Sequence, residues 1–179
     1  TITIDGNKAN MTADVVGSIF FIRNLAEVEL RSVTVTNAKK TGNVRALDEA
    51  YDLSYETQVG GAAVILASGK LNIYDSNFTN NEVSVFEKDN TDSISGRGAV
   101  IYSFGELNVY NSAFKNNHAT KGGVIYNYRE THLTDTTFEG NTASTLGGVI
   151  YVPSSTVASV YTDNATFKGN SATTGGAVY

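Results

Sequence analysis

Apolar and polar residues alternate with period two in short stretches that recur along this chain. Leu71-Asn72-Ile73-Tyr74 and Leu107-Asn108-Val109-Tyr110 are the clearest, and His132-Leu133-Thr134 is a weaker copy. Such alternation marks β-strands with one face turned inward. Val28, Leu30, Val33 and Val35, ahead of Asn37, fit the same template and predict a degenerate coil over about residues 17–37. Ile2, Ile4 and the turn Asp5-Gly6-Asn7 predict the edge of one more.

Two blocks punctuate these strands. The first reads Gly122-Gly123-Val124-Ile125-Tyr126, Gly147-Gly148-Val149-Ile150-Tyr151 and Gly175-Gly176-Ala177-Val178-Tyr179, with looser copies at Gly60-Gly61-Ala62-Ala63-Val64 and Gly96-Arg97-Gly98-Ala99-Val100. The second is Phe-x-x-Asn, at Phe78–Asn81, Phe114–Asn117, Phe138–Asn141 and Phe167–Asn170. Glycines 98, 123, 148 and 176 are about 25 residues apart, a length suited to one coil of a β-solenoid. The fold expected is all-β, a right-handed parallel β-helix. It forms one domain over residues 1–179, with degenerate coils at 1–37 and regular ones at 60–179.

Stacking of equivalent residues gives each slot a role. Phe78, Phe114, Phe138 and Phe167 would form an apolar ladder inside, one rung per strand spacing of about 4.8 Å. Asn81, Asn117, Asn141 and Asn170 would hydrogen-bond along the axis and hold a bend. Gly61, Gly98, Gly123, Gly148 and Gly176 are read as one column that allows positive φ or close backbone approach. Ala119, Ala143 and Ala172 would fill the tight space between the two blocks. Outside, Thr79, Lys115, Glu139 and Lys168 would form a stripe that helps to set register. Arg97 interrupts the second glycine pair, and the Val160–Phe167 segment reads as longer than its counterparts.

Composition narrows the function classes. Charged residues make up only 17%, with 17 Gly, 10 Tyr, 1 Pro and no Trp, a mixture that favours β-structure with tight turns. The net charge of −5 recommends neither nucleic acid nor an anionic membrane as partner. No apolar run is long enough to span a bilayer. Without cysteine there is no disulfide framework and no thiolate metal site. The chain starts within an apparent strand and stops as a repeat begins, so it reads as an excerpt of a longer protein.

The paired GG-A/V-I-Y and F-x-x-N blocks resemble the repeats of chlamydial polymorphic outer-membrane proteins. They look even more like those of the adhesin-like surface proteins of methanogenic archaea. The resemblance covers about residues 60–179. It implies an extracellular, cell-surface segment of an adhesin or structural protein, with a glycan or protein on another cell as partner. Stacked flanking coils or subunits would cover its ends. A self-assembling fibre or surface-layer module stays open.

Parallel β-helices of the pectin-lyase type also carry polysaccharide lyases and hydrolases, so catalysis has to be argued from residues. Asp75 and Asp135 share a column two coils apart, near the wide carboxylate separation of an inverting glycosidase. With Asn111 between them and Asn164 beyond, the column reads equally as a turn-capping ladder. His118 and His132 lie at unrelated points of their coils, with no triad or metal spacing around them. Calcium is the only cation the Asp and Asn oxygens would suit, and no calcium β-roll repeat is present. No cofactor or metal is expected, and the chain reads as a non-enzyme. Asn10, Asn77 and Asn164 stand in glycosylation sequons. Asn77 is set aside because it adjoins a core Phe.

Two insertions break the regularity, at residues 38–59 and 82–95, at the same point of neighbouring coils. Insertions gathered on one side of a solenoid often mark its binding face. The first carries Val44, Leu47, Tyr51 and Tyr55 at helical spacing, the second Phe86 and Asp89; Tyr51, Tyr55, Phe86 and Asp89 are the candidate binding residues. Alternatively these loops only shield one side of the stack. Tyr102, Tyr126, Tyr151 and Tyr179 form a further column that either stacks on sugar rings or packs as core.

Overall fold

A computed structural model describes residues 1–12, 18–23, 25–42, 60–66, 68–85, 96–154 and 158–179. All ladders between its strands are parallel, and strands of successive coils stack into four sheets, the arrangement of a parallel β-helix. The first sheet comprises β1 (Ile2–Asp5), β4 (Glu27–Arg31), β8 (Lys70–Tyr74), β12 (Glu106–Tyr110), β16 (Thr131–Thr134) and β20 (Val160–Asp163). The second comprises β2 (Asn10–Met11), β5 (Thr34–Thr36), β9 (Asn77–Thr79), β13 (Ala113–Lys115), β17 (Thr137–Glu139) and β21 (Thr166–Lys168). The third holds β6 (Lys39–Gly42), β10 (Glu82–Val85), β14 (His118–Lys121) and β18 (Thr142–Leu146). The fourth holds β3 (Phe20–Ile22), β7 (Val64–Leu66), β11 (Ile101–Ser103), β15 (Ile125–Asn127) and β19 (Ile150–Tyr151). Among the described residues no helix is long and apolar enough to cross a membrane.

Three corners of each coil are turned by a residue in the left-handed region. Between the first and second sheets it is Ser32, Asp75, Asn111, Asp135 or Asn164, at φ of 44–51°. Between the second and third it is Asn37, Asn80, Asn116, Gly140 or Gly169, at 54–66°. Between the third and fourth it is Gly61, Gly98, Gly122, Gly147 or Gly175, at 58–65°. Asn, Asp and Gly accept this conformation at least cost, which explains their abundance at fixed points of the repeat. The second of these columns, the residue just before each ladder asparagine, has no counterpart in the sequence reading. Its signal was the Asn-or-Gly choice at that slot.

The glycine register differs from the one read from sequence. Arg97 pairs with Gly60 and with Lys121, so Gly98 stacks with Gly61, Gly122, Gly147 and Gly175 at the left-handed corner. Gly123, Gly148 and Gly176 form a separate column with Ala62 and Ala99. Arg97 therefore precedes the block and does not interrupt it. The two columns have different requirements. A Cβ on Gly122 would lie 2.2 Å from the Ile125 carbonyl oxygen, within the same corner. A Cβ on Gly123 would lie 2.2 Å from the carbonyl oxygen of Gly148, in the next coil.

The core is a set of like-on-like columns. Phe78, Phe114, Phe138 and Phe167 stack with centroids 4.9, 5.0 and 5.0 Å apart, and Met11 and Val35 continue the column towards the N-terminus. Beside them runs the asparagine ladder. The Oδ1 of Asn117 accepts the backbone N–H and the Nδ2 of Asn81, each at 2.9 Å. Its own Nδ2 donates to Asn141 Oδ1 at 2.9 Å and to the Phe78 carbonyl at 3.1 Å. Asn141 and Asn170 repeat the pattern one coil on. Each inner rung thus satisfies every side-chain donor and acceptor in a dry interior, where an unmade bond would be costly. A second polar ladder was not anticipated: the Oγ of Ser112 donates to the Tyr110 carbonyl at 2.7 Å and accepts the Ser76 N–H at 3.1 Å. Ala119 and Ala143 face inward as expected.

Two further boundaries move. Residues 39–42 and 82–85 are paired strands of the third sheet, so the coils extend at least to Gly42 and Val85. The polar run Lys39-Lys40-Thr41 hides that strand from an alternation test, and the neighbouring coil supplies the pairing. Lys40 even points inward. It is 4% exposed, and its Nζ donates to the Gly60 carbonyl at 2.9 Å and to Ser18 Oγ at 3.1 Å. The Val160–Phe167 segment is in step with Thr131–Phe138; the extra residues precede Val160.

Asn117→Ala is expected to destabilise by about 3–5 kcal/mol in urea unfolding, because it orphans two donors of Asn81 and the Phe78 carbonyl. At the corners, Gly122→Ala should lower the midpoint strongly. Gly169→Asn, at φ 62° with no atom within 4 Å of its Cβ, should change stability by less than about 0.5 kcal/mol.

Candidate functional site

The outward columns carry whatever surface chemistry the stack has. On the second sheet Glu139 sits between Lys115, at 3.2 Å, and Lys168, at 3.0 Å, as the stripe predicted. Both lysines hold the exposed Glu139 carboxyl below its ordinary range. On the first sheet Arg31 lies over the Tyr74 ring at 4.1 Å, and Tyr74 stacks on Tyr110 at 4.9 Å. Beside this column the amides of Asn72 and Asn108 bond at 2.9 Å.

The Asp75 and Asp135 column belongs to the corners. Both residues are exposed at φ 51°, and each accepts an amide from the next coil: Asn111 Nδ2 at 2.6 Å, Asn164 Nδ2 at 2.5 Å. The histidines occupy different sheets. His118 Nδ1 lies 2.7 Å from Thr142 Oγ1, and His132 lies 2.5 Å from Glu130 and stacks on Tyr161 at 4.7 Å. Among the described residues no three His, Asp or Glu side chains gather as a metal site would require.

Tyr51, Tyr55, Phe86 and Asp89 lie outside the described residues, as does the helical spacing that includes Val44 and Leu47. The described flanks do show that both interruptions fall between the third and fourth sheets of adjacent coils. Asn10 and Asn164 are exposed. Asn77 is exposed as well, since alternation along β9 turns it outward while Phe78 turns in.

The fourth sheet holds the largest external aromatic cluster. Its inner face carries Val64, Ile101, Ile125 and Ile150, and its outer face the tyrosine column. Tyr102 is 0% and Tyr126 4% exposed, Tyr151 is half-buried and Tyr179 exposed. The packing comes from two residues the sequence reading passed over, Phe104 and Tyr128. They stack on each other at 4.4 Å, and Tyr102 meets Phe104 edge-on at 4.8 Å. Their signal was an aromatic two places after each tyrosine, in Tyr102-Ser103-Phe104 and Tyr126-Asn127-Tyr128. Arg97 closes the other side, with a 3.0 Å bond to the Tyr102 hydroxyl and its guanidinium 5.3 Å from the Tyr126 ring centre. Burial pushes both phenols well above their ordinary range, and Arg97 opposes that shift only in part.

Residues 111–128 and 135–153 each match the family model of the Chlamydia polymorphic membrane protein repeat. Two successive coils of the chain are similar to this repeat. Each match runs from the corner between the first two sheets to the tyrosine column of the fourth: Asn111 to Tyr126 and beyond, then Asp135 to Tyr151 and beyond. The repeat unit of the family is thus most of one coil here, with its Phe, Asn and Gly slots at the rungs and corners. No curated protein and no solved structure matches the chain.

Tyr102 and Tyr126 favour the neutral phenol in the fold. Their contribution to stability is intact below the ordinary phenol pKa of 10.0 and falls as pH rises above it. In an alkaline titration followed by phenolate absorbance, these two are expected to ionise only as the fold opens. Ionisation of all ten tyrosines as one population near the ordinary value, with circular dichroism unchanged, would contradict this packing.

Proposed function

We propose that this chain is an adhesive segment of a cell-surface protein, a stiff β-solenoid whose side faces contact a glycan or protein on another cell. The observation that carries the reading is the match of two successive coils to a surface-protein repeat, on a solenoid whose fixed residues all serve stacking. Phe, Asn, Ser and Gly positions are spent on the interior and corners, which leaves the outer columns free to vary from coil to coil. That division suits recognition by an extended surface more than turnover in a cleft. The carboxylate column that would serve a glycosidase is occupied in turning corners, which weakens the enzymatic alternative. The match to a membrane-protein repeat supports an outer-surface location.

The test uses beads coated with the intact chain on epithelial cell layers and on immobilised glycans. Saturable retention that soluble chain competes away, absent for beads coated with albumin, is expected. Retention no greater than that of albumin on both cells and glycans would overturn the adhesive reading.

A further inference from the structure

Several cations on the outside of the first three sheets pair with carboxylates of neighbouring coils, while Arg31 pairs with Glu29 of its own strand and lies over the Tyr74 ring at 4.1 Å. Lys70 meets Glu106 at 2.8 Å, Lys39 meets Glu82 at 3.9 Å, and Lys115 and Lys168 share Glu139. Beside the fourth sheet cations lie on rings. The Arg97 guanidinium is 5.3 Å from the Tyr126 centroid, and Lys121 Nζ is 5.7 Å from that of Tyr151. Arg97 and Lys121 share one register column, and Tyr126 and Tyr151 share another. The same cation-on-tyrosine unit is therefore built twice, each cation leaning on the ring one coil ahead.

The second copy is the more open. Tyr151 and Lys121 are half-buried, where Tyr126 is 4% exposed. On the far side of the tyrosine column lies Tyr128, its ring 5.3 Å from Tyr126, followed in the chain by the exposed Arg129. Neither Lys121 nor Arg129 has a carboxylate partner among the described residues. Among the described residues the acids at this corner are engaged elsewhere: Glu130 pairs with His132, and Glu106, in register with it one coil away, pairs with Lys70. In a chain of net charge −5, this face sets the positive charges of Lys121 and Arg129, without a carboxylate partner among the described residues, beside tyrosine rings.

We propose that Lys121, Tyr151, Tyr128 and Arg129 form a binding face for an acidic glycan, a polymer bearing carboxylate or sulfate groups. The inference rests on the adhesive reading and names its ligand chemistry. A tyrosine ring offers a flat, electron-rich surface to the C–H face of a sugar, while its hydroxyl stays wet. A carboxylate or sulfate then takes the ammonium and guanidinium donors in charge-assisted bonds. Recurrence of the unit along the axis suits a linear polymer, whose successive units engage successive coils and gain avidity without new contacts. An acidic peptide would satisfy the charges but would leave the paired rings without a use.

The test titrates the intact chain with oligogalacturonate, a heparin oligosaccharide, a neutral cello-oligosaccharide of equal length and poly-glutamate, by calorimetry at low and high salt. Saturable binding of at least one acidic oligosaccharide is expected, weakened by salt, with none of the neutral one. Oligogalacturonate alone would identify uronate as the group read, heparin alone sulfate. Combined Lys121→Glu and Arg129→Glu should weaken binding by at least about tenfold, and the milder Lys121→Gln and Arg129→Gln pair should weaken it less. Lys168→Gln, which removes one charge from the second sheet, should bind as wild type, with melting curves reporting that each variant folds. Binding of neither acidic oligosaccharide, equal binding of the neutral one, poly-glutamate binding as tight as the glycans, or indifference to the double variants would overturn the proposal. Bead retention on cells that persists through any of these leaves adhesion standing and removes only this face and ligand.

Discussion

In-register parallel stacking is the constraint from which the rest of the molecule follows. Each strand hydrogen-bonds to the same segment of the coils above and below, so equivalent side chains must lie on one another at the strand spacing of about 4.8 Å. Only residues that tolerate their own copies at that distance can fill a column. Flat Phe rings do so by stacking, and Asn does so because its amide is donor at one end and acceptor at the other. Lysine does not, and the outer stripe accordingly alternates Lys115, Glu139, Lys168.

The corners complete the constraint. A coil closes only if the chain turns sharply without orphaning buried peptide groups, and left-handed residues at three points achieve this. The first two accept Asx. At the first an exposed amide reaches the neighbouring carboxylate. At the second a Cβ on Gly169 would meet no atom within 4 Å, and one on Gly140 only the end of the Asn116 side chain. The third is confined to glycine, since the carbonyl of Ile125 occupies the place of a Cβ on Gly122. One repeat therefore contains both a permissive and a strict turn, which accounts for its mixture of variable Asx slots and fixed glycines.

Function in such a body is pushed to its outside and to its breaks. The interior columns are committed to stacking, and the two insertions fall between the third and fourth sheets of adjacent coils. The fourth sheet, which follows the insertions in the chain, departs most from the like-on-like rule. Among its outer aromatics, Tyr102 and Tyr126 pack edge-on or tilted against their neighbours, and Arg97 and Lys121 lie near the rings. Chemistry that stacking does not need is concentrated there.

Much of this was legible in the residues. Period-two alternation gave the strands around Leu71 and Leu107, and recurrence of Phe-x-x-Asn gave both ladders, because each is a local pattern repeated. A turn at Asp75 and Asn111 was one of the two readings that residue type allowed there, and its left-handed backbone was not read from the sequence. Other features needed the neighbouring coil. Gly98 takes its column from the pairing of Arg97 with Lys121, and Lys39–Gly42 becomes a strand only because Glu82–Val85 lies beside it. Lys40 turns inward because Gly60 and Ser18 offer it oxygens, and Tyr102 is buried because Phe104 and Tyr128 fold across it. Alternation and turn chemistry are properties of a few adjacent residues, and the sequence determines them by itself. Register between coils and burial of an outward face depend on what residues one turn away supply, and only the tertiary structure decides those.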